Sequence, residues 1–127
     1  MAQRIQFLNF EEDDKDIVIS FAIDDSNMLV KSLILHRTFF FEEFLDDEER
    51  GVNVSLEDDT FEQENYNTLE SIKIRNDELE IVAAFRKYKL DISKIDKSDI
   101  DEMLRLLNKQ NYDNRFAVDI AQYSPTE

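Results

Sequence analysis

"TLESIKIRNDELEIVAAF", Thr68 to Phe85, decides the fold. Two apolar runs flank Asn76-Asp77, whose side chains tolerate the left-handed backbone of a tight turn, so the stretch is a β-hairpin. Upstream, "GVNVSLE" (Gly51–Glu57) puts Val52, Val54 and Leu56 on one face and Asn53, Ser55 and Glu57 on the other. That two-residue period is the mark of a half-buried strand. "DIVISFAID" (Asp16–Asp24) repeats it with Ile17, Ile19, Phe21 and Ile23. "RIQFLNF" (Arg4–Phe10) reads as a first strand and Glu11–Asp16 as a polar turn. Asp25–Asn27 is turn chemistry, because short polar side chains bond their own backbone. A further strand starts within Met28–Phe41, and "FFFEEFLDDEE" suits a helical turn or two before Gly51. Asp58–Asn67 has no useful period and reads as a loop.

Downstream of the hairpin, Arg86–Ile92 permits another strand. "KSDIDEMLRLLNKQ" then changes period: Ile100, Met103, Leu104 and Leu107 form one apolar stripe of a helix over about 99–109. Ser98 is the expected N-cap, with Asp101 three residues on. Asp99, Asp101 and Glu102 suit the positive end of the helix dipole, and Lys109 the other. Arg115–Ala121 reads as a last edge strand. Strands first and a helix late predict an α+β fold: a mostly antiparallel sheet with one amphipathic helix packed on it. No linker or repeat divides the chain, so residues 1–122 are expected as one domain and 123–127 as a short flexible tail.

Composition supports a folded globule. The chain has 127 residues, 42% of them apolar, with ten Phe and four Tyr. It has no cysteine, which excludes disulfides and thiolate metal sites. There is no apolar run of membrane-spanning length and no secretory signal in "MAQRIQFLNFEEDD", so a cytoplasmic location is expected.

Catalytic signatures are missing. His36 is the only histidine, its neighbourhood "LILHRTF" offers no nucleophile, and the serines lack a nucleophile-elbow context. A single glycine leaves no Gly-rich phosphate loop. Neither Asp91–Glu102 nor Glu57–Glu64 has the glycine and spacing of a calcium loop. The expectation is a protein that is not an enzyme and uses no cofactor or metal. Arg37 reads as a surface arginine at a strand end, with pairing to the acidic segment as the alternative.

Charge is the strongest compositional fact. The net charge is −15, and Glu42–Glu70 alone carries twelve acids against Arg50, a net of −11. Residues 1–41 sum to −3 and residues 71–127 to −1. Such a surface repels nucleic acid and anionic membranes and steers a basic partner towards it. Aromatic side chains interleave with the charges, as in interfaces that combine anchors with a charged rim. The candidate partner-binding residues are Phe44, Asp46, Asp47, Glu48, Glu49, Glu57, Asp58, Asp59, Phe61, Glu62, Glu64 and Tyr66. A solvated acidic rim is the competing reading. Exposed strand edges leave a monomer or a homodimer open.

The run "MLVKSLILHRTFFFEEFLDDEERGVNVSLED", followed by "LESIKIRNDELEIV" and the late helix, resembles the Immunity protein 10 family of bacterial polymorphic toxin systems. The matching positions are Leu33–Arg37, Asp46–Glu49, Gly51–Val54 and Ile72–Leu79 with its Arg75-Asn76-Asp77 turn, within Met28 to Leu107. The chain departs from the family at Tyr66–Leu69, where a glycine-containing segment is expected. The resemblance implies a stoichiometric inhibitor that neutralises a cognate toxin domain, which the charge argument would make basic. The alternative is a DNA-mimic inhibitor of DNA-binding, restriction or nuclease proteins, whose carboxylates stand in for phosphates.

Overall fold

The computed structural model describes residues 3–24, 30–39, 42–47, 50–56 and 67–122. The expected turn at Asp25–Asn27, most of the loop at Asp58–Asn67 and the tail 123–127 lie outside these residues. Four strands form an antiparallel meander: β1 (Gln3–Glu12), β2 (Asp16–Asp24), β3 (Val30–Thr38) and β4 (Asn53–Leu56). The β1–β2 turn is set by Asp13, whose Oδ1 accepts from the backbone N–H of Lys15 and Asp16, each at 2.8 Å. A second meander contains β5 (Leu69–Arg75), β6 (Glu78–Ala83) and β7 (Lys87–Asp91). Its hairpin turns at Asn76, which takes a φ of 56° as its residue type allows. β8 (Ala117–Gln122) adds to the outer side of β5.

The two halves join into one sheet of order β4-β3-β2-β1-β7-β6-β5-β8. Most neighbours are antiparallel. The joins β1–β7 and β5–β8 are parallel, which the strand-by-strand pattern does not reveal. The sheet also curls back on itself: Asn53 bridges Thr68, and Val54 N–H donates to the Asn67 carbonyl at 2.9 Å. Asn67, fully buried, reinforces that seam. Its Nδ2 donates to Val54 O at 3.1 Å, and its Oδ1 accepts from Phe85 N–H at 2.8 Å.

Inside the curl lies one core. Ile17, Ile19, Phe21 and Ile23 of β2 face Leu33 and Leu35 of β3, Val54 of β4 and the Ile72, Ile74, Leu79, Ile81 and Leu90 row of the second meander. The helix α1 (Lys97–Gln110) packs on it through Ile100, Met103, Leu106 and Leu107. Each such side chain contributes about 1.5–3 kcal/mol on burial. Leu106 replaces Leu104 in the expected buried stripe, and Leu104 is half-buried at the helix flank. The helix starts earlier than expected, capped by Asp96 rather than Ser98, with Asp99 and Ile100 N–H donating to the Asp96 carbonyl. Ser98 lies in the first turn. The flank facing β1 is held by ion pairs of Glu12 with Arg105 and Lys109. No helix among the described residues is long and apolar enough to cross a membrane.

Candidate functional site

The inward row of β3 runs Leu33, Leu35, Arg37, and Arg37 sits opposite Ile17. An arginine there is buried by register, and Arg37 is only 1% exposed. This corrects the expectation of a surface arginine; the alternative, pairing with the acidic segment, is what occurs. A guanidinium taken out of water needs all five N–H groups satisfied. After β3 a 3-10 turn, Glu42–Phe44, brings Glu42 back: Nε donates to Oε2 at 2.6 Å and Nη2 to Oε1 at 2.7 Å. From the end of α1, Nη1 meets the Gln110 carbonyl at 2.6 Å and Asp113 Oδ1 at 2.8 Å, and Nη2 meets Asp113 Oδ2 at 3.0 Å. The Tyr112 ring stacks at 4.5 Å from Cζ, a cation–π contact. Burial alone would push Arg37 down, but its bonds to Glu42 and Asp113 outweigh this and hold its pKa raised.

Asp113 passes the network on. Its Oδ2 also accepts from Arg115 Nε at 2.6 Å, and Arg115 Nη2 reaches Asp47 Oδ1 at 2.6 Å while Nη1 reaches the Asp47 carbonyl at 2.8 Å. The hydrogen bonds from Arg37 outweigh the opposing effect of burial and, with Arg115, bring the Asp113 carboxyl down to about 2. The bonds to Asp113 and Asp47 raise Arg115 in turn. The result is a line of alternating charge, Glu42–Arg37–Asp113–Arg115–Asp47, running from the core to the surface. Arg50 closes the same loop through Nε to the Leu45 carbonyl at 3.1 Å. Gly51 then turns away at a φ of 116°.

The start of the acidic segment is therefore fixed in place, and what it presents is Phe44, 76% exposed, beside the exposed Asp46 and Asp47. These are the three candidate partner-binding residues that the structure brings together. Glu48, Glu49, Glu57, Asp58, Asp59, Phe61, Glu62, Glu64 and Tyr66 lie outside the described residues. The stem of that second acidic stretch is nonetheless defined, because Val54 and Asn67 pair across its base. Sequence reasoning missed Tyr112, 61% exposed, whose hydroxyl lies 3.4 Å from Glu42 Oε1 and whose ring packs near Phe39. It also missed Asp113 and Arg115, which carry no motif; only their position after the helix matters.

The outward face of the second meander looks different. Asp119, Lys73, Glu80 and Lys89 are successive cross-strand neighbours, so charges alternate in sign across four strands. His36 points outward from β3, with Nε2 at 2.8 Å from Asp16 Oδ1 and both side chains partly exposed. No group of three or more metal-ligating side chains occurs among the described residues. No protein-family model, curated protein or solved structure matches the chain.

Proposed function

We propose that this chain is a non-catalytic binding protein for a basic protein partner, docked through the surface that begins at Phe44–Asp47. The observation that carries this reading is the anchoring of that loop. Two arginines hold its backbone and two of its carboxylates from below, and leave an aromatic ring and further carboxylate surface facing outward. A pre-positioned loop loses less conformational freedom on binding than a mobile one. The exposed Phe44 is of the type that anchors interfaces, and the surrounding negative charge raises association rates with a basic partner. The resemblance to the Immunity protein 10 family gives the partner a class, a cognate toxin domain, and gives the function as its neutralisation. The balanced outward face of the second meander speaks against phosphate mimicry along an extended surface.

Capture of partners from lysate of the native cells, at low and then moderate salt, tests the reading. Wild type, Phe44→Ala and the Asp46→Asn/Asp47→Asn pair are compared, with Glu80→Gln as control. One stoichiometric basic partner, toxic when expressed alone and bound about tenfold more slowly by the Asp46/Asp47 variant, supports it. Several DNA-binding proteins released together as salt rises would instead identify a DNA mimic. A single partner held equally well by all variants would move the interface elsewhere.

A further inference from the structure

β8 ends the sheet order, and among the described residues it pairs with β5 alone. Val118 lies beside Ile72 in register, so it belongs to the face that elsewhere forms the core, yet it is 38% exposed and Ile120 is 41% exposed. Between β8 and α1 runs a cavity of about 490 Å³ lined by Leu104, Asn108, Asn114, Phe116, Val118 and Ile120 among others, with no charged side chain. The core thus opens along this edge. Natural sheets blunt such edges with lysine, proline or a cover. β1 pairs with β7 only at Gln3 and Arg4, and at its other end Glu12 forms ion pairs with Arg105 and Lys109 of α1. The strand Ala117–Gln122 contains no lysine, arginine or proline.

We infer that β8 is a self-association edge, and that two copies of this chain join antiparallel along it with their Val118 and Ile120 side chains filling the cavity. Three observations select a second copy as the occupant. The groove takes an extended strand that turns apolar side chains towards it at alternate positions, and β8, with Val118 and Ile120 on that side and Asp119 on the other, is itself such a strand. Residues 71–127 sum to −1 while Glu42–Glu70 carries −11, so joining at β8 uses the near-neutral part of a chain that otherwise repels itself. The one charge on the strand does not forbid pairing. A two-fold axis at Asp119 would oppose two carboxylates, but an axis at Val118 or Ile120 places Asp119 opposite Ala117 or Ala121 of the second copy. A short strand pair with a small apolar patch makes a modest interface, with a dissociation constant on the order of 10 µM.

The test is sedimentation velocity on the whole chain from about 1 µM to about 500 µM, a span that brackets that constant. The expected result is a mass rising from the 15.1 kDa of one chain to twice that value. The dimer should tighten as salt screens the long-range repulsion, opposite to the salt response of docking to a basic partner. Ile120→Lys should remain monomeric throughout. Asn108→Glu, which leaves the sheet untouched and puts a charge in the groove, should weaken the dimer at least tenfold with an unchanged circular dichroism spectrum. A wild-type chain that stays at one mass at every concentration overturns the inference, as does a dimer that both variants retain. So does a monomer whose β8 amides become protected from exchange only when a peptide of alternating valine and threonine is added; the edge would then serve a partner strand.

Discussion

Asp113 accepts hydrogen bonds from Arg37 at 2.8 and 3.0 Å and from Arg115 at 2.6 Å, so one carboxylate couples a buried guanidinium to a loop on the surface. Arg37 belongs to the core and Asp47 to the solvent, and Asp113 is what makes the position of one depend on the other. The consequences for stability and for the acidic loop can be separated by mutation.

Arg37→Met removes the shared cation and leaves Glu42 buried without its partner. Breaking a buried pair from one side costs about 3–5 kcal/mol, a large part of the roughly 5–15 kcal/mol that holds a domain of this kind. Urea denaturation should register that loss. Adding Glu42→Leu to the same chain should recover at least about 1 kcal/mol, because the stranded charge is gone.

The pH response follows from Asp113. Its carboxyl lies at about 2 when folded against an ordinary 3.8. A depressed folded value means the stabilisation is complete above 3.8 and is lost as pH falls through 2. Solvent screening at this exposed residue reduces what the difference is worth to about 1 kcal/mol. Asp113→Asn should therefore be less stable than wild type by about that amount at pH 7, and the gap should close between pH 4 and pH 2. A gap that persists at pH 2 would mean that geometry rather than charge makes the contribution.

Arg115→Gln tests the outer link. Asp47 is 90% exposed at its side chain, so losing this ion pair should cost global stability little, under about 1 kcal/mol. The local effect should be larger: the Leu45 and Arg50 amides, which donate to Glu42 O and Asp47 O, should exchange severalfold faster. Global unfolding of this variant would show that Arg115 supports the core and not only the loop.

Gly51→Ala separates backbone from packing at the end of the same loop. A Cβ there would meet Arg115 Cδ at 3.4 Å, an ordinary contact, but the φ of 116° is one that L side chains rarely adopt. The expected loss is about 1–3 kcal/mol in thermal or urea unfolding, all of it from backbone strain.

Much of the fold is legible because alternation and helical period are local. β2 runs over the expected Asp16–Asp24, the Asn76 turn is where the residue type allows it, and a 3-10 turn occupies part of the stretch before Gly51. The N-cap is Asp96 rather than Ser98, and its side chain makes no capping hydrogen bond, so the residue type that suits a cap is not what places the helix start. The parallel joins β1–β7 and β5–β8 depend on contacts between distant segments and leave no local signature. Arg37 is the instructive case. It continues the period of Leu33 and Leu35, so its inward direction was present in the pattern, while a charge at a strand end argued for solvent. What decides between them is Glu42 five residues on, which is near enough to read, and Asp113 seventy-six residues away, which is not.

Asn67 offers a test of the seam that closes the sheet. Its amide both donates to Val54 O and accepts from Phe85 N–H, so Asn67→Ala should leave the buried Val54 carbonyl without this donor and release the part-buried Phe85 N–H, costing about 1–3 kcal/mol. Asn67→Asp retains the acceptor for Phe85 but turns a carboxylate oxygen towards the Val54 carbonyl. Burial and that repulsion would raise its pKa, so the variant should be destabilised most at neutral pH and recover as the pH falls and the acid protonates, when it can again donate to Val54. Urea midpoints of the two variants at pH 7 and pH 4, each referred to wild type, would show this: the alanine deficit nearly constant, the aspartate deficit shrinking. An aspartate deficit that does not change with pH would mean that the seam opens to water in that variant, and that Asn67 is held there by Val54 and Phe85 rather than holding them.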